Sequence, residues 1–213
     1  NAMAHGIRPA YGRVGNILND FLPGPDPWNG IYKNIYNTSN YETFDANRKH
    51  NGKKCQVYLD TSIDQGVNTW VSDANITNLG TFFNDTIYPR MIDNFGNVTM
   101  NIDNNDMIYI VFTELYHDNN GLIVGYFDPI NEFGQPNSNQ KEMVYITTYK
   151  PADWTPEKWL RIVKGTLAHE FQHLINFTNR FSKWTNPASD FESELWINEG
   201  LSMIAEEIAI NGP

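Results

Sequence analysis

The chain has 213 residues and a formal net charge of −10, with 40 % apolar and 14 % aromatic residues. That apolar share supports a packed core and excludes a mainly disordered chain, and the length suits one domain or a two-lobed one. Charge spread this way offers no basic face for nucleic acid and disfavours anionic membrane surfaces; a single cysteine, Cys55, excludes an internal disulfide.

In chain order, Asn1-Ala2-Met3 resembles a tag-cleavage remnant, so a signal peptide is expected to have preceded it. The first fifty residues are rich in Gly, Pro, Asn and Tyr, and Gly24-Pro25-Asp26-Pro27-Trp28-Asn29-Gly30 has the turn chemistry of an ordered loop. Residues 55–62 (CQVYLDTS) predict a buried strand. Ile76, Leu79, Phe83, Ile87 and Met91 recur at helical spacing. Ser72 or Asp73 can cap that helix and Gly96 can end it, while Pro89 is expected to kink it or stop it early. Three further strands are predicted at 106–115, 121–127 and 142–149.

The pattern then changes. Thr155-Pro156-Glu157 combines a capping hydroxyl, proline at the first helical position and an acid near the positive helix end. The helix it starts should run from about Pro156 to Asn179. A loop with Pro187 follows, and Ser189 or Asp190 begins a last helix. The order is strand, helix, three strands, long helix, loop, helix, which is an α+β arrangement with a helical second half. No run of about 18 apolar residues exists to span a membrane. The ending Asn211-Gly212-Pro213 is abrupt, and the protein is expected to continue past it.

Within 169–173 the chain reads His-Glu-Phe-Gln-His. Positions i and i+4 share a helix face, so His169 and His173 can aim both imidazoles at one point. Catalytic zinc sites use three protein ligands plus water, and imidazole nitrogen is a standard donor. Glu170 sits about 100° around the helix, within reach of a metal-held water but not of the metal. That is the general-base position of His-Glu-x-x-His metalloproteases. The letters alone also fit an amphipathic helix whose histidines happen to sit near its core face.

Downstream, residues 195–202 read LWINEGLS. HEFQH followed by this element resembles the glutamate zincins. The wider context, HEFQHLIN with a longer gap before Asn-Glu-Gly, is more similar to the hyicolysin-type extracellular bacterial neutral metallopeptidases. The likeness is carried by residues of about 155–210 and, before them, only by element order. It implies a zincin-like α+β fold: a twisted mixed sheet and the active-site helix in an upper lobe, above a helical lower lobe. Residues 3–179 would form the first subdomain and 180–213 the start of the second, as one catalytic unit. It further implies one zinc per chain on His169, His173 and Glu199, with Glu170 as general base. The activity implied is endopeptidase cleavage of protein or peptide substrates, secreted or in the bacterial cell envelope.

Glu206 returns to the face of Glu199 seven residues on, where the family pattern also has an acid; it would support a ligand histidine, or be an ordinary solvated acid. Asn198 would orient the glutamate or the substrate main chain, or act as a local cap. Family order makes the strand at 121–127 the edge that receives an extended substrate, through Gly121, Leu122, Ile123, Val124 and Gly125; an ordinary core strand is the other reading. One part is missing. No tyrosine or histidine follows His173 to stabilise an oxyanion, so the donor would lie beyond Pro213 or be an earlier residue such as His117, Tyr145 or Tyr149. It also keeps open a zincin-fold module that binds zinc without cleaving. Calcium has slight support from the alternating oxygen side chains of Asn101, Asp103, Asn105 and Asp106, but the glycine and distal glutamate of a calcium loop are absent; a surface turn is the better reading. Trp154, Trp159 and Trp184 read as core or groove wall.

Overall fold

Three strands buried at every position form the middle of the molecule: β3 (Cys55–Asp60), β4 (Ile108–Thr113) and β6 (Met143–Thr147). They run parallel to one another. Parallel strands covered on both faces need side chains that tolerate burial throughout, which is why these segments are near-continuous apolar runs. The computed structural model describes residues 24–34, 40–118, 121–181 and 187–212, with side chains of the last helix described from Trp196 onward. The remnant at Asn1-Ala2-Met3 and Trp184 lie outside the described residues.

The full sheet has six strands in the order β1-β2-β3-β4-β6-β5. β1 (Trp28–Asn34) and β2 (Tyr41–Asn51) extend one side as antiparallel strands. Neither strand was expected from the sequence, and β1 starts within the stretch read as an ordered loop. In β2 only Ala46 is buried, so its polar side chains carry no apolar period to betray a strand; pairing with β1 and β3 makes it one. Trp28 anchors β1 by packing edge-on against Tyr58 and Tyr109, at centroid distances of 5.3 and 5.5 Å. At the other side, β5 (Gly125–Phe127) pairs antiparallel with β6 and ends the sheet. The expected strand at 121–127 is therefore shorter. Its first part folds back instead, through a bridge between His117 and Leu122 and a bond from Ile123 N–H to the Tyr116 carbonyl.

One sheet face is covered by helices. α1 (Asp73–Phe82) starts at Ser72, whose hydroxyl accepts from Asn75 N–H. It continues through a π-helical turn, Phe83–Ile87, into α2 (Tyr88–Phe95). The helix does not stop early at Pro89. The wide turn has Tyr88 N–H bonded to the Phe83 carbonyl, so Pro89 falls in the first turn of α2, where a missing N–H costs little. Gly96, with φ of 92°, ends the run. α3 (Pro156–Arg180) begins with the Thr155 hydroxyl accepting from Lys158 N–H. α4 (Pro187–Asn211) begins at Pro187 itself, two residues ahead of expectation; proline suits a first helical turn. Trp159, fully buried, and Trp154, partly buried, belong to the core beneath α3. Among the described residues, no helix is long and apolar enough to cross a membrane.

Candidate metal centre

α3 buries Leu167, Ala168, Phe171, Leu174 and Ile175 against the sheet and α2. That packing fixes the helix rotation and leaves His169 and His173 facing a cavity of about 350 Å³. The two rings sit edge to face, 4.7 Å apart. α4 crosses beside them and brings Glu199 to the same point. His169 Nε2 is 3.6 Å from Glu199 Oε2, and His173 Nε2 is 3.7 Å from Glu199 Oε1. All three donor atoms lie within 4.8 Å of one another.

These separations are too long for hydrogen bonds. They are close to the spacing of about 3.4 Å between ligand atoms that bonds of about 2.1 Å make around a tetrahedral ion. Two imidazoles and a carboxylate are also the donor types of catalytic metal sites with an open position. On both counts the residues fit a divalent metal ion.

The far sides of the imidazoles are held as well. His169 Nδ1 donates to Glu206 Oε1 at 2.7 Å. His173 Nδ1 lies 3.0 Å from Ser202 Oγ, whose own hydrogen faces Gln172 Oε1 at 2.5 Å. At His169 the Nδ1 hydrogen is thereby engaged and Nε2 is left toward Glu199, while Ser202 Oγ braces the edge of the His173 ring, 3.0 Å from Nδ1 and 3.4 Å from Nε2. Burial works against the charged form of His169, but the bond to Glu206 and the charges of Glu170, Glu206 and Glu199 outweigh it and raise its pKa. At His173 burial prevails, helped by the neighbouring His169, and the pKa is lowered despite the Asn198 bond and the Glu199 charge.

Glu170 is 7 % exposed and lines the same cavity. Burial pushes its carboxyl up to about 7, partly offset by His169 and by a hydrogen bond from Phe127 N–H. That bond identifies which way β5 faces. Val124 accepts from Thr147 N–H across the ladder, so antiparallel alternation turns Val124 and Tyr126 toward β6 and the backbones of Gly125 and Phe127 outward.

Of the residues expected at the site, His169, Glu170, His173, Asn198 and Glu199 line the cavity, and Glu206 lies directly behind His169. Asn198 is nearly buried and accepts from Asn176 Nδ2 at 2.8 Å. Gly121, Leu122, Ile123, Val124 and Gly125 do not line the cavity; the next two residues, Tyr126 and Phe127, do. The proposed oxyanion donors do not line it either. Tyr145 is buried with its hydroxyl on the Tyr32 carbonyl, and His117 stacks on Tyr149 at 3.6 Å. Ser202, Asn176, Phe177 and Pro129 were not foreseen. Ser202 had a signal: it stands three residues after Glu199 on the same helix face.

No protein-family model matches the chain. It is similar to the neutral metalloprotease ShpI of Staphylococcus hyicus. The two are 26 % identical over 181 residues, which is 83 % of this chain and 39 % of that protein. The likeness supports a metalloprotease relationship at modest identity, and the chain spans well under half the relative's length.

Proposed function

We propose that this chain carries the catalytic centre of a zinc-dependent endopeptidase of the glutamate-zincin class, acting on proteins or peptides outside the cell or in its envelope. The convergence of His169, His173 and Glu199 at ligand spacing carries the reading. Those residues would hold one zinc, which when bound supplies Lewis acidity toward water and the scissile carbonyl.

The chain's own groups perform the rest. Glu170, held by Phe127 N–H and raised by burial to about 7, is poised to take a proton from the attacking water and return it to the leaving amine. The outward backbone of Gly125 offers an N–H and a carbonyl to an extended peptide laid along β5. Phe127, Phe177 and Tyr126 form apolar wall around it and limit water. Asn176 and Asn198, bonded to each other, add side-chain amides to the cavity lining.

The absence of Tyr145, Tyr149 and His117 from the cavity favours one rival, a zinc-binding module that does not cleave. Hydrolysis of casein by the zinc-loaded protein decides between them. Cleavage that falls by about 10²–10⁴-fold in Glu170→Gln, with zinc content unchanged, supports the peptidase. An inactive zinc-loaded wild type supports the module.

A further inference from the structure

None of the foreseen oxyanion donors lines the histidine cavity, but other donors do. Apart from the three ligand side chains and Glu170, the polar side chains of the lining among the described residues are Tyr126, Asn176 and Asn198. Tyr126 stacks on Tyr145 at 4.5 Å, and its hydroxyl accepts from Asn34 N–H at 3.1 Å, which directs it toward β1. That leaves two amides, one on α3 and one on α4.

The two are joined to each other. Asn176, three residues after His173, donates through Nδ2 to Asn198 Oδ1 at 2.8 Å. This bond occupies the nitrogen of Asn176 and the oxygen of Asn198, so Asn198 Nδ2 is the donor end of the pair. Two ligand residues flank that side chain. Glu199 follows it in the chain, and His173 is in hydrogen-bonding contact with it. An amide nitrogen carries two hydrogens, so one is left for the cavity whichever way the contact with His173 runs. Asn198 is also nearly buried. A donor held in place beforehand and shielded from bulk water stabilises a developing negative charge without reorganising.

We propose that Asn198 Nδ2 is the oxyanion donor of this centre, with Asn176 as its positioning residue. The assignment rests on the peptidase reading above. As the water oxygen bonds to the scissile carbonyl carbon, one of its protons passes to Glu170 and the C=O π pair moves onto the carbonyl oxygen. The Asn198 N–H meets that charge. When the pair returns, the C–N bond breaks and Glu170 gives its proton to the departing nitrogen, leaving a carboxylic acid and an amine. An amide thus serves where a tyrosine or histidine was expected.

The test uses the zinc-loaded protein, a quenched fluorogenic peptide of casein sequence, and the phosphonamidate of the same peptide, whose tetrahedral anion resembles the transition state. Asn198→Ala lowers kcat by about 10²–10³-fold and leaves KM nearly unchanged. It weakens phosphonamidate binding by a like factor in calorimetry, with zinc content unchanged. Asn198→Asp keeps an acceptor for Asn176 but has no donor, and it loses as much. Asn176→Ala loses less, because the donor is present but unbraced. If Asn198→Ala cleaves and binds the phosphonamidate within about twofold of wild type while Glu170→Gln is inactive, the donor assignment is overturned and the peptidase reading stands. A loss confined to KM overturns the assignment too. A zinc-loaded wild type that neither cleaves nor binds the phosphonamidate removes the peptidase reading, and the donor with it.

Discussion

His169 Nδ1 and Glu206 Oε1 meet at 2.7 Å across the α3–α4 interface. Gly165, one turn before His169, makes room for this: a Cβ there would come within 3.3 Å of Glu206 Oε2. The carboxylate fixes the ring's orientation and raises the basicity of Nε2, the atom facing Glu199. Glu206→Gln keeps an acceptor but removes the charge. We expect zinc affinity to fall by about 10–100-fold, measured by competition with a chromogenic chelator, with the fold unchanged by circular dichroism. Affinity within twofold of wild type would show that Glu206 is only a neighbour.

Gly125 is a close-approach glycine. A Cβ would lie 2.5 Å from Thr166 Cγ2 and 3.0 Å from the Tyr145 carbonyl oxygen. Gly125→Ala should therefore push β5 away from α3 at a cost of about 1–3 kcal/mol, read from urea unfolding, and reduce casein cleavage. Thr166→Ser removes the obstructing methyl and should restore part of both. No recovery in the double variant would place the clash elsewhere.

His50 provides a pH dependence remote from the metal centre. It sits on β2 with Nε2 3.2 Å from Asn84 Nδ2, which is the arrangement of a neutral ring accepting a hydrogen bond. Burial lowers its pKa, against a smaller opposing effect of the Asp85 charge. The unfolded chain then binds the proton more readily than the folded one, so the stabilisation is present above the ordinary histidine pKa of about 6.5 and is lost as pH falls through it toward the folded value. The stability difference between wild type and His50→Gln should shrink from pH 8 to pH 5 in urea unfolding. Metal loss at low pH affects both proteins and cancels. A constant difference would contradict the assignment.

What the sequence disclosed follows the strength of its patterns. α3 was legible because Thr155, Pro156 and the apolar period of its buried face agree, and its observed range differs from expectation by one residue. β3, β4 and β6 were legible as apolar runs. β2 was not, because Glu42, Asp45, Asn47 and Lys49 give no alternation, and its neighbours decide its conformation. At the candidate site, the spacing of His169 and His173 pointed to a shared point, and only the family resemblance of the Asn198-Glu199-Gly200 element added Glu199. Phe127 acts through a backbone N–H, which no residue pattern singles out, and Ser202 was marked only by its place three residues after Glu199.

The central claim is that one metal ion is held by residues of α3 and α4 together. Anomalous diffraction at the zinc absorption edge, from crystals of the zinc-loaded protein, tests it most directly. The account predicts a single strong peak bonded by His169 Nε2, His173 Nε2 and a Glu199 oxygen at about 2.0–2.2 Å, with one further position open beside Glu170. No peak at that point, or one with the Glu199 carboxylate turned away, would contradict it.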